Sequence, residues 1–137
     1  MELRKATHKD LMKVIHAIGY KDLPYITKSQ ENFDYNKKQL YVVADGEKVF
    51  ACASLVWESQ YEYFAVKRLC ILNKHNYGKG IARFALRELQ KVVKGKIGAT
   101  PWMDNIAMRK LLESEGFKLE YKFDGVWCYY WMQKLEK

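Results

Sequence analysis

The sequence predicts a mixed α/β (α+β) fold in one domain, residues 1–137, and three observations support this. The chain has 137 residues, enough for one hydrophobic core and too few for two. Hydrophobic residues make up 49% and charged residues 29%, which is typical of a folded protein. Runs rich in β-branched and aromatic residues alternate with stretches whose apolar residues recur at helical spacing. Strands and helices should therefore build one sheet with helices packed on it.

Seven strands and four helices follow from local signals. The strand signal is a run of β-formers, and two such pairs of runs are joined by Asp-Gly, which strongly indicates a hairpin. The predicted strands are Glu2–Ala6, Leu40–Ala44, Val49–Trp57, Tyr61–Leu72, Ile97–Thr100, Phe117–Phe123 and Val126–Met132. The predicted helices begin after capping residues or a glycine loop, near Thr7, Ser29, Ile81 and Asn105.

The predicted helices differ in the strength of their apolar pattern. The first begins at a capping box of Thr7 and Asp10 and ends at Gly19. Range 20–38 has a poor pattern, so we expect a short helix marked only by Phe33 and Tyr35, together with a mobile flap. The buried residues predicted for the last two helices are Ile81, Ala85, Leu89 and Val92, then Ile106, Leu111 and Leu112.

Charge and composition limit the partners and the compartment. The chain has 24 Lys and Arg against 16 Asp and Glu, and its net charge of +8 favours anionic partners. No stretch is long and apolar enough for a membrane span, and MELRKATHKD has no apolar signal segment. The three cysteines are far apart and suggest neither a metal site nor disulfides. We therefore expect a cytoplasmic protein that binds no membrane and no metal.

A glycine loop between a strand and a helix is the strongest chemical signal. The apolar run Leu69–Leu72 leads into a polar loop that contains Gly78 and Gly80, and a helix follows at once. The first turn of a helix has N–H groups without internal partners and carries the positive end of the helix dipole. Glycines let an anion approach those donors closely. The sequence therefore predicts an anion site, with a phosphate as the natural ligand.

Spacing excludes two common phosphate motifs. A P-loop needs Gly-Lys-Ser/Thr after four intervening residues, but Ile81 follows Gly80. A dinucleotide fingerprint needs a third glycine, and Arg83 occupies that position.

The loop resembles a third motif. Tyr77-Gly78-Lys79-Gly80-Ile81-Ala82 is similar to Arg/Gln-x-x-Gly-x-Gly/Ala, the pyrophosphate loop of the GNAT superfamily of acyl-CoA N-acyltransferases. It matches at Gly80 and Ala82, and Tyr77 stands where Arg or Gln is usual. Downstream, Asn105-x-x-Met108-x-x-Leu111-Leu112-x-x-x-Gly116-Phe117 is similar to the family's second signature, with Leu112 where a tyrosine often acts as general acid. The resemblance covers nearly the whole chain in the same order of elements.

The resemblance implies a fold and a co-substrate. The fold would be a GNAT-like mixed, mostly antiparallel central sheet of about seven strands flanked by about four helices. The co-substrate would be acetyl-CoA, bound by loop N–H groups and a neighbouring strand. Its pyrophosphate would lie on the backbone of Gly78, Lys79, Gly80, Ile81 and Ala82 beside Tyr77, with charge from Lys79 and Arg83. Its pantetheine arm would pair with Cys70, Ile71 and Leu72, and Asn105 would bind it from the other side.

The resemblance also implies a reaction, in which a primary amine attacks the thioester directly. An alkyl amine has a pKa near about 10.4, so a base must remove a proton before attack. Our candidates are Glu58 and Glu62, at the junction of two central strands. Tyr121 or Tyr129 would supply a proton in place of the missing tyrosine.

Two other functions remain open. Tyr77 and Leu112 suggest a degenerate member that binds acyl-CoA without turnover. The net charge and the aromatic residues suggest an RNA- or ribosome-binding module. The basic residues are spread over helices and loops and do not share one sheet face, so we expect no nucleic-acid partner. The expected partners are an acyl-CoA and an amine acceptor, and a homodimer is an open alternative for the assembly.

Overall fold

The computed structural model describes residues 1–18, 26–123 and 127–133, and the predicted mixed sheet is confirmed. The strands are β1 (Glu2–Lys5), β2 (Leu40–Asp45), β3 (Lys48–Glu58), β4 (Tyr63–Ile71), β5 (Lys96–Ala99), β6 (Lys118–Phe123) and β7 (Trp127–Gln133). The helices are α1 (His8–Ile18), α2 (Lys28–Asn36), α3 (Ile81–Val92) and α4 (Ile106–Ser114). None of the helices in these ranges is long and apolar enough to cross a membrane.

The strands form one sheet in the order β1-β2-β3-β4-β5-β7-β6. Every neighbouring pair is antiparallel except β4 and β5, which are parallel. The helix α3 lies between β4 and β5 in the chain. It returns the chain to the end of the sheet at which β4 begins, so β5 runs parallel to β4. The predicted pairing of the last two strands is confirmed, while the Asp124-Gly125 turn lies outside the described residues.

The helices cover opposite faces of the sheet. On one face, Leu11 and Val14 of α1 pack with Leu40, Val42 and Cys52, and we call this the α1–α2 face. On the other, the α3–α4 face, a second core joins both later helices to the sheet. That core includes Leu86, Leu89, Val93, Leu112, Tyr41, Ala53, Leu55 and Val66.

The capping box that begins α1 is confirmed. The backbone N–H of Asp10 donates to Thr7 Oγ1 at 3.2 Å, and the backbone N–H of Thr7 donates to Asp10 Oδ2 at 3.0 Å. Arg4 on β1 donates to both carboxylate oxygens of Asp10, at 2.9 and 3.1 Å. The cap therefore also ties α1 to the edge strand.

Two residues predicted to be buried are exposed. Val92 is half exposed, and Val93 is buried in its place. Val93 lies four residues after Leu89, so it continues the buried line, whereas Val92 falls to one side of it. Ile106 is 49% exposed because it is the first residue of α4, and Leu112 is the fully buried residue of that helix.

Helix α2 is confirmed, and of its two apolar markers Tyr35 packs against the α1–α2 core while Phe33 does not. Thr27 caps it by accepting the N–H of Gln30 at 3.3 Å. Phe33 is 52% exposed, whereas Glu31 is 0% and Asp34 is 1% exposed. The helix therefore turns two carboxylates toward the sheet. Of the predicted mobile flap, residues 19–25 lie outside the described residues.

Candidate functional site

The central strand β4 has a closed half and an open half. Its pairing with β5 is limited to Phe64 with Ile97 and Ala65 with Gly98. We call Tyr63–Ala65 the closed half of β4 and Val66–Ile71 the open half. In the part of the chain that the structure describes, no strand pairs with the open half on the side away from β3. An extended ligand could therefore add to this edge as a further strand.

Backbone alternation shows which residues serve the open edge. The N–H of Leu72 donates to the carbonyl of Phe50 at 2.9 Å, so Leu72 directs its backbone groups toward β3. Successive residues of a strand direct them to opposite sides, so Ile71 presents its N–H and carbonyl to the open edge. Cys70, which is opposite Cys52, faces β3 as Leu72 does. Of the three predicted backbone contacts, only Ile71 thus faces the edge.

A β-bulge lies within the open half. Cys52 is opposite Cys70, but Ser54 is opposite Lys67, so β4 has one more residue than β3 between these pairs. Arg68 lies in the extra stretch with a φ of 54°, a left-handed conformation that is uncommon for a residue with a side chain. Bulges bend a strand and redirect its side chains. The pairing with β5 ends at Ala65, before the bulge, and at the bulge Arg68 turns toward α2.

The glycine loop follows the open half directly. Asn73 Oδ1 accepts the N–H of His75 at 2.9 Å and starts a single 3₁₀ turn, Lys74–Asn76. Gly78 and Gly80 have φ values of 76° and 74°, and α3 begins at Ile81. No atom lies within 4 Å of the position a Cβ would take at either glycine, so conformation rather than crowding requires glycine here.

The N-terminus of α3 has the features of an anion site. Gly80 is its N-cap residue, and no side chain caps the helix. The first N–H groups of a helix have no intrahelical acceptor. The loop residues Tyr77 to Gly80 are exposed, so these donors face an accessible surface. The loop therefore fits a phosphate group, as the sequence predicts.

The two cations beside the loop, Lys79 and Arg83, differ in their contacts. Lys79 is exposed. Arg83 Nη1 lies 3.0 Å from Glu115 Oε2, and Arg87 also pairs with this carboxylate. The hydrogen bond from Arg87 is the main cause that lowers the pKa of Glu115, and Arg83 adds to it. Arg83 is therefore held at Glu115 in this structure.

Asn105 is the N-cap of α4. Its Oδ1 accepts the N–H of Met108 at 3.3 Å. The side chain is half-buried, and because the oxygen serves the cap, its NH₂ group is the donor that remains for a ligand.

The two predicted proton acceptors lie near the start of β4, and one of them contacts the open half. Glu58 is opposite Tyr63 at that end of β4, and its carboxylate lies 2.7 Å from Lys67 Nζ. Ile71 lies eight positions after Tyr63, which is about 26 Å along an extended strand. Glu62 lies in the adjoining turn and is exposed. The carboxylate of Glu58 reaches the open half at Lys67, and the role of Glu58 or Glu62 as proton acceptor stays a prediction.

Tyr129, the predicted proton donor, lies on β7 and packs against the closed half of β4. Its buried ring packs edge-to-face on Tyr63, with 5.5 Å between the ring centres, and Lys96 Nζ lies 5.5 Å from its centre. Burial, followed by the nearby Tyr129, raises the pKa of Tyr63 to about 12. The side chain of Tyr121, the alternative donor, lies outside the described part of the chain.

A buried charged cluster on the α1–α2 face was not predicted. Asp34 of α2 forms an ion pair with Arg68 and accepts a hydrogen bond from Ser54 Oγ at 2.6 Å. Gln30 and Gln39 donate to its other oxygen, at 3.3 and 3.2 Å. Both carboxylate oxygens of Asp34 are therefore satisfied, and the residue fastens α2 to β3 and to the bulge in β4.

Glu31 lies beside this network, but its carboxylate oxygens accept no hydrogen bond from it. Its Oε1 is 3.7 Å from Arg68 Nε, and among the described residues neither carboxylate oxygen nor Arg68 Nε has a hydrogen-bond partner. Burial raises the pKa of Glu31 to about 7, Arg68 opposes this rise, and Asp34 adds to it. A carboxyl group close to half protonation at neutral pH thus lies under α2.

The two cysteines near Glu31 are thiols. Burial is the main cause that raises the pKa of Cys70 to about 11, and Glu31 adds to it. Burial also raises the pKa of Cys52 well above its usual value. Neither cysteine is a thiolate at neutral pH, so neither has the character of a nucleophile. Their interaction with Glu31 also places its carboxylate over the β3–β4 pair, next to the open half.

The sequence does contain a signal for this cluster. A helix over 28–36 with no apolar stripe must still turn one face to the sheet, and Glu31 and Asp34 at i and i+3 share a face. An acidic pair on the inner face of a weakly apolar helix indicates a buried polar site. Arg68, in the middle of a predicted central strand, was the available partner.

Several solved structures with the same fold carry the name of an acetyltransferase. A GNAT-family acetyltransferase from Streptococcus agalactiae 2603 has a TM-score of 0.80 at 18% identity and covers 98% of this chain and 96% of its own. YncA from Salmonella typhimurium, solved with its cofactor acetyl-CoA, has a TM-score of 0.71 at 18% identity, with coverage of 100% and 95%. A spermidine N-acetyltransferase SpeG chimera from Vibrio cholerae and hSSAT has a TM-score of 0.72 at 19% identity, with coverage of 97% and 96%.

No protein-family model and no curated protein matches the sequence itself, so the likeness is one of structure. It extends over 97 to 100% of the chain, and it agrees with the order of motifs in the sequence. The chain has the fold of the GNAT acetyltransferases.

Proposed function

We propose that this chain is an acetyl-CoA-dependent N-acetyltransferase, which transfers an acetyl group to a primary amine of a small molecule or peptide by direct attack. The observation that carries the proposal is the continuity of the open half of β4 with the glycine loop at the N-terminus of α3. A strand edge that can pair with an amide chain thus leads directly to a site for phosphate. The structural likeness to YncA, which carries acetyl-CoA, supports the same ligand.

The residues fit such a ligand. The N–H groups from Gly78 to Ala82 would hold the pyrophosphate, and Lys79 would add charge. The backbone of Ile71 would pair with the pantetheine arm at the open edge, and the NH₂ group of Asn105 would donate to it. Arg83 would join the phosphate contacts on leaving Glu115.

The chain would supply two kinds of chemical help. The N–H of Ile71, directed to the open edge, would stabilise negative charge on the thioester oxygen. The leaving thiolate needs little protonation in advance, because a thiol has a pKa near about 8.5. This matters because Leu112 is fully buried in the α3–α4 core and offers no proton.

A second candidate is an acyl-CoA-binding protein without turnover. It is favoured by Leu112, and by Tyr77, which is exposed where the motif has Arg or Gln. The two candidates separate in two measurements. Millimolar acetyl-CoA should raise the melting temperature in either case. Release of free thiol with at least one of a panel of primary amines would then identify the enzyme, and its absence with every amine would identify the binder.

The loop itself is tested by Gly80→Asp. The new carboxylate would lie against the pyrophosphate, so we expect the Kd for acetyl-CoA, measured by calorimetry, to rise by roughly 100-fold. Gly46→Asp in the β2–β3 turn is a matched control, because Gly46 also has a positive φ, 59°, and no neighbour within 4 Å of its Cβ position. An equal Kd in both variants would show that the ligand does not bind at this loop.

A further inference from the structure

A cleft on the outer side of α1 plays no part in the proposed acetyl transfer. It has a volume of about 420 Å³ and lies between α1 and the β2–β3 turn. Leu11 and Val14 pack on the sheet from the opposite side of the same helix. None of the residues that line the cleft belongs to the open half of β4 or to the glycine loop, so it is a separate feature. These residues are His8, Lys9, Met12, Lys13, His16 and Glu47.

The spacing of residues along α1 produces one wall of this cleft. Met12 is 50% exposed and lies one turn from a histidine on either side, so an apolar side chain stands among polar ones. The ring of His8 packs edge-on against Tyr35 of α2, with 6.2 Å between the ring centres, which fixes one end of the wall. The residues of the wall form two rows at helical spacing, namely His8, Met12 and His16, and Lys9 and Lys13.

Two contacts join α1 to the β2–β3 turn and so fix the width of the cleft. Lys13 Nζ donates to the backbone carbonyl of Glu47. Arg4 donates to the carboxylate of Asp10 on α1 and, at 2.9 Å, to the carbonyl of Gly46 in the turn. The two walls are therefore held together before a ligand binds, as in most sites for small molecules.

The charges around the cleft favour an anion. Lys9 is exposed and has no ion pair in the part of the chain that the structure describes. Lys13 gives one N–H to the carbonyl of Glu47 and keeps two for a ligand. Asp10, the acid of α1, is buried and paired with Arg4, so its charge does not reach the cleft. Two ammonium groups thus stand against the single carboxylate of Glu47 in the lining.

We propose that this cleft is a second ligand site and that it binds a nucleoside monophosphate. The phosphate pairs with Lys9 and Lys13. The base lies over Met12, because a thioether makes favourable contacts with aromatic rings. A volume of about 420 Å³ is in the range of small-molecule sites, which combine an apolar surface with a few well-placed polar groups. A bare phosphate would leave Met12 uncovered, and an uncharged ring would leave both ammonium groups without a partner.

The test follows the methyl signals of the methionines by NMR. The chain has five methionines, and Met12 is the one that lines the cleft. With ¹³C-methyl methionine, millimolar adenosine monophosphate should shift the Met12 signal in a saturable way, and Met12→Leu assigns that signal. The shift should persist in Gly80→Asp, which blocks the glycine loop. A Met12 signal that stays in place, or whose shift is lost in Gly80→Asp, would overturn the proposal.

Charge reversal at the cleft should weaken binding. Lys9→Glu should raise the Kd for adenosine monophosphate, measured in the same titration, by roughly 10-fold or more. Lys110→Glu makes the same change on α4 and should leave the Kd as in the wild type. Both side chains are exposed, so neither change disturbs the core. Equal Kd values in the two variants would show that the phosphate does not bind beside Lys9.

Two simpler probes test the two parts of the ligand. Adenosine and inorganic phosphate should each bind roughly 10-fold more weakly than adenosine monophosphate, because each makes only part of the contacts. If either binds as tightly as the nucleotide, the assignment to a nucleoside monophosphate is wrong. These measurements need no acetyl-CoA and no turnover. A failure of the proposed acetyl transfer would therefore leave their outcome unchanged, and the two proposals stand or fall separately.

Discussion

The two halves of β4 are held by different kinds of contact. The closed half packs through rings and small residues, with Tyr63 against Tyr129 and Gly98. The open half packs through Val66 and Leu69 on the α3–α4 face, and on the α1–α2 face it is held by charges, because Arg68 is paired with Asp34 on α2. Apolar packing at the open edge would fill the space that a ligand must enter. A charged clamp placed on one face fixes the strand and leaves its edge free.

The charged contact between Arg68 and Asp34 should lose more stability on substitution than the packing of the closed half. Asp34→Ala removes the partner of Arg68 and of Ser54 at once and leaves a partly buried guanidinium without its main partner. We expect the free energy of unfolding to fall by about 3 to 5 kcal/mol, measured by urea denaturation. Glu88→Ala, which breaks an exposed pair with Lys91, should cost less than about 1 kcal/mol. Equal losses in the two variants would show that the cluster does not hold β4.

Substitution of the neighbouring carboxylate, Glu31, should have the opposite effect on the free energy of unfolding, because ionised Glu31 destabilises the fold. The pKa of Glu31 is raised in the folded chain, from 4.5 to about 7, so its contribution to stability is full below pH 4.5 and is lost as the pH rises through 7. Glu31→Gln has no such loss. Its stability relative to the wild type should improve by about 3 kcal/mol between pH 4 and pH 8.

Urea denaturation across this pH range checks the effect of Glu31. Every other titrating group is common to both proteins, so the difference between the two curves reports Glu31. Parallel curves would contradict the raised pKa. They would also remove the contrast between a satisfied and an unsatisfied carboxylate on α2.

The sequence predicted the elements that depend on local signals. The β2–β3 hairpin, the Thr7–Asp10 capping box and the loop before Ile81 are each set by residues close in the chain, although the hairpin turn is Gly46-Glu47, one residue later than predicted. The errors at Val92 and Ile106 arose at helix ends, where one residue of rotation decides which side chain is covered.

The charged cluster could not be derived in the same way. Arg68 and Asp34 are 34 residues apart, and their pairing depends on a bulge that nothing in the local sequence announces. Glu58 and Glu62 were preferred as proton acceptors because they adjoin central strands in the sequence. The sheet places Glu58 opposite Tyr63, where its carboxylate pairs with Lys67, while α2 brings Glu31 next to Arg68.

The smallest effect is expected in the closed half. A Cβ at Gly98 would lie 2.9 Å from the backbone oxygen of Tyr130 and 2.9 Å from the ring of Tyr63. Gly98→Ala should therefore reduce the free energy of unfolding by about 1 to 2 kcal/mol, after allowance for the lower entropy of its unfolded chain. In a Tyr63→Leu background the loss should shrink without vanishing, because the backbone oxygen remains. Since the strain lies in the closed half, the Kd for acetyl-CoA should stay within the wild-type range, and a weakened affinity would show that the two halves of β4 are coupled.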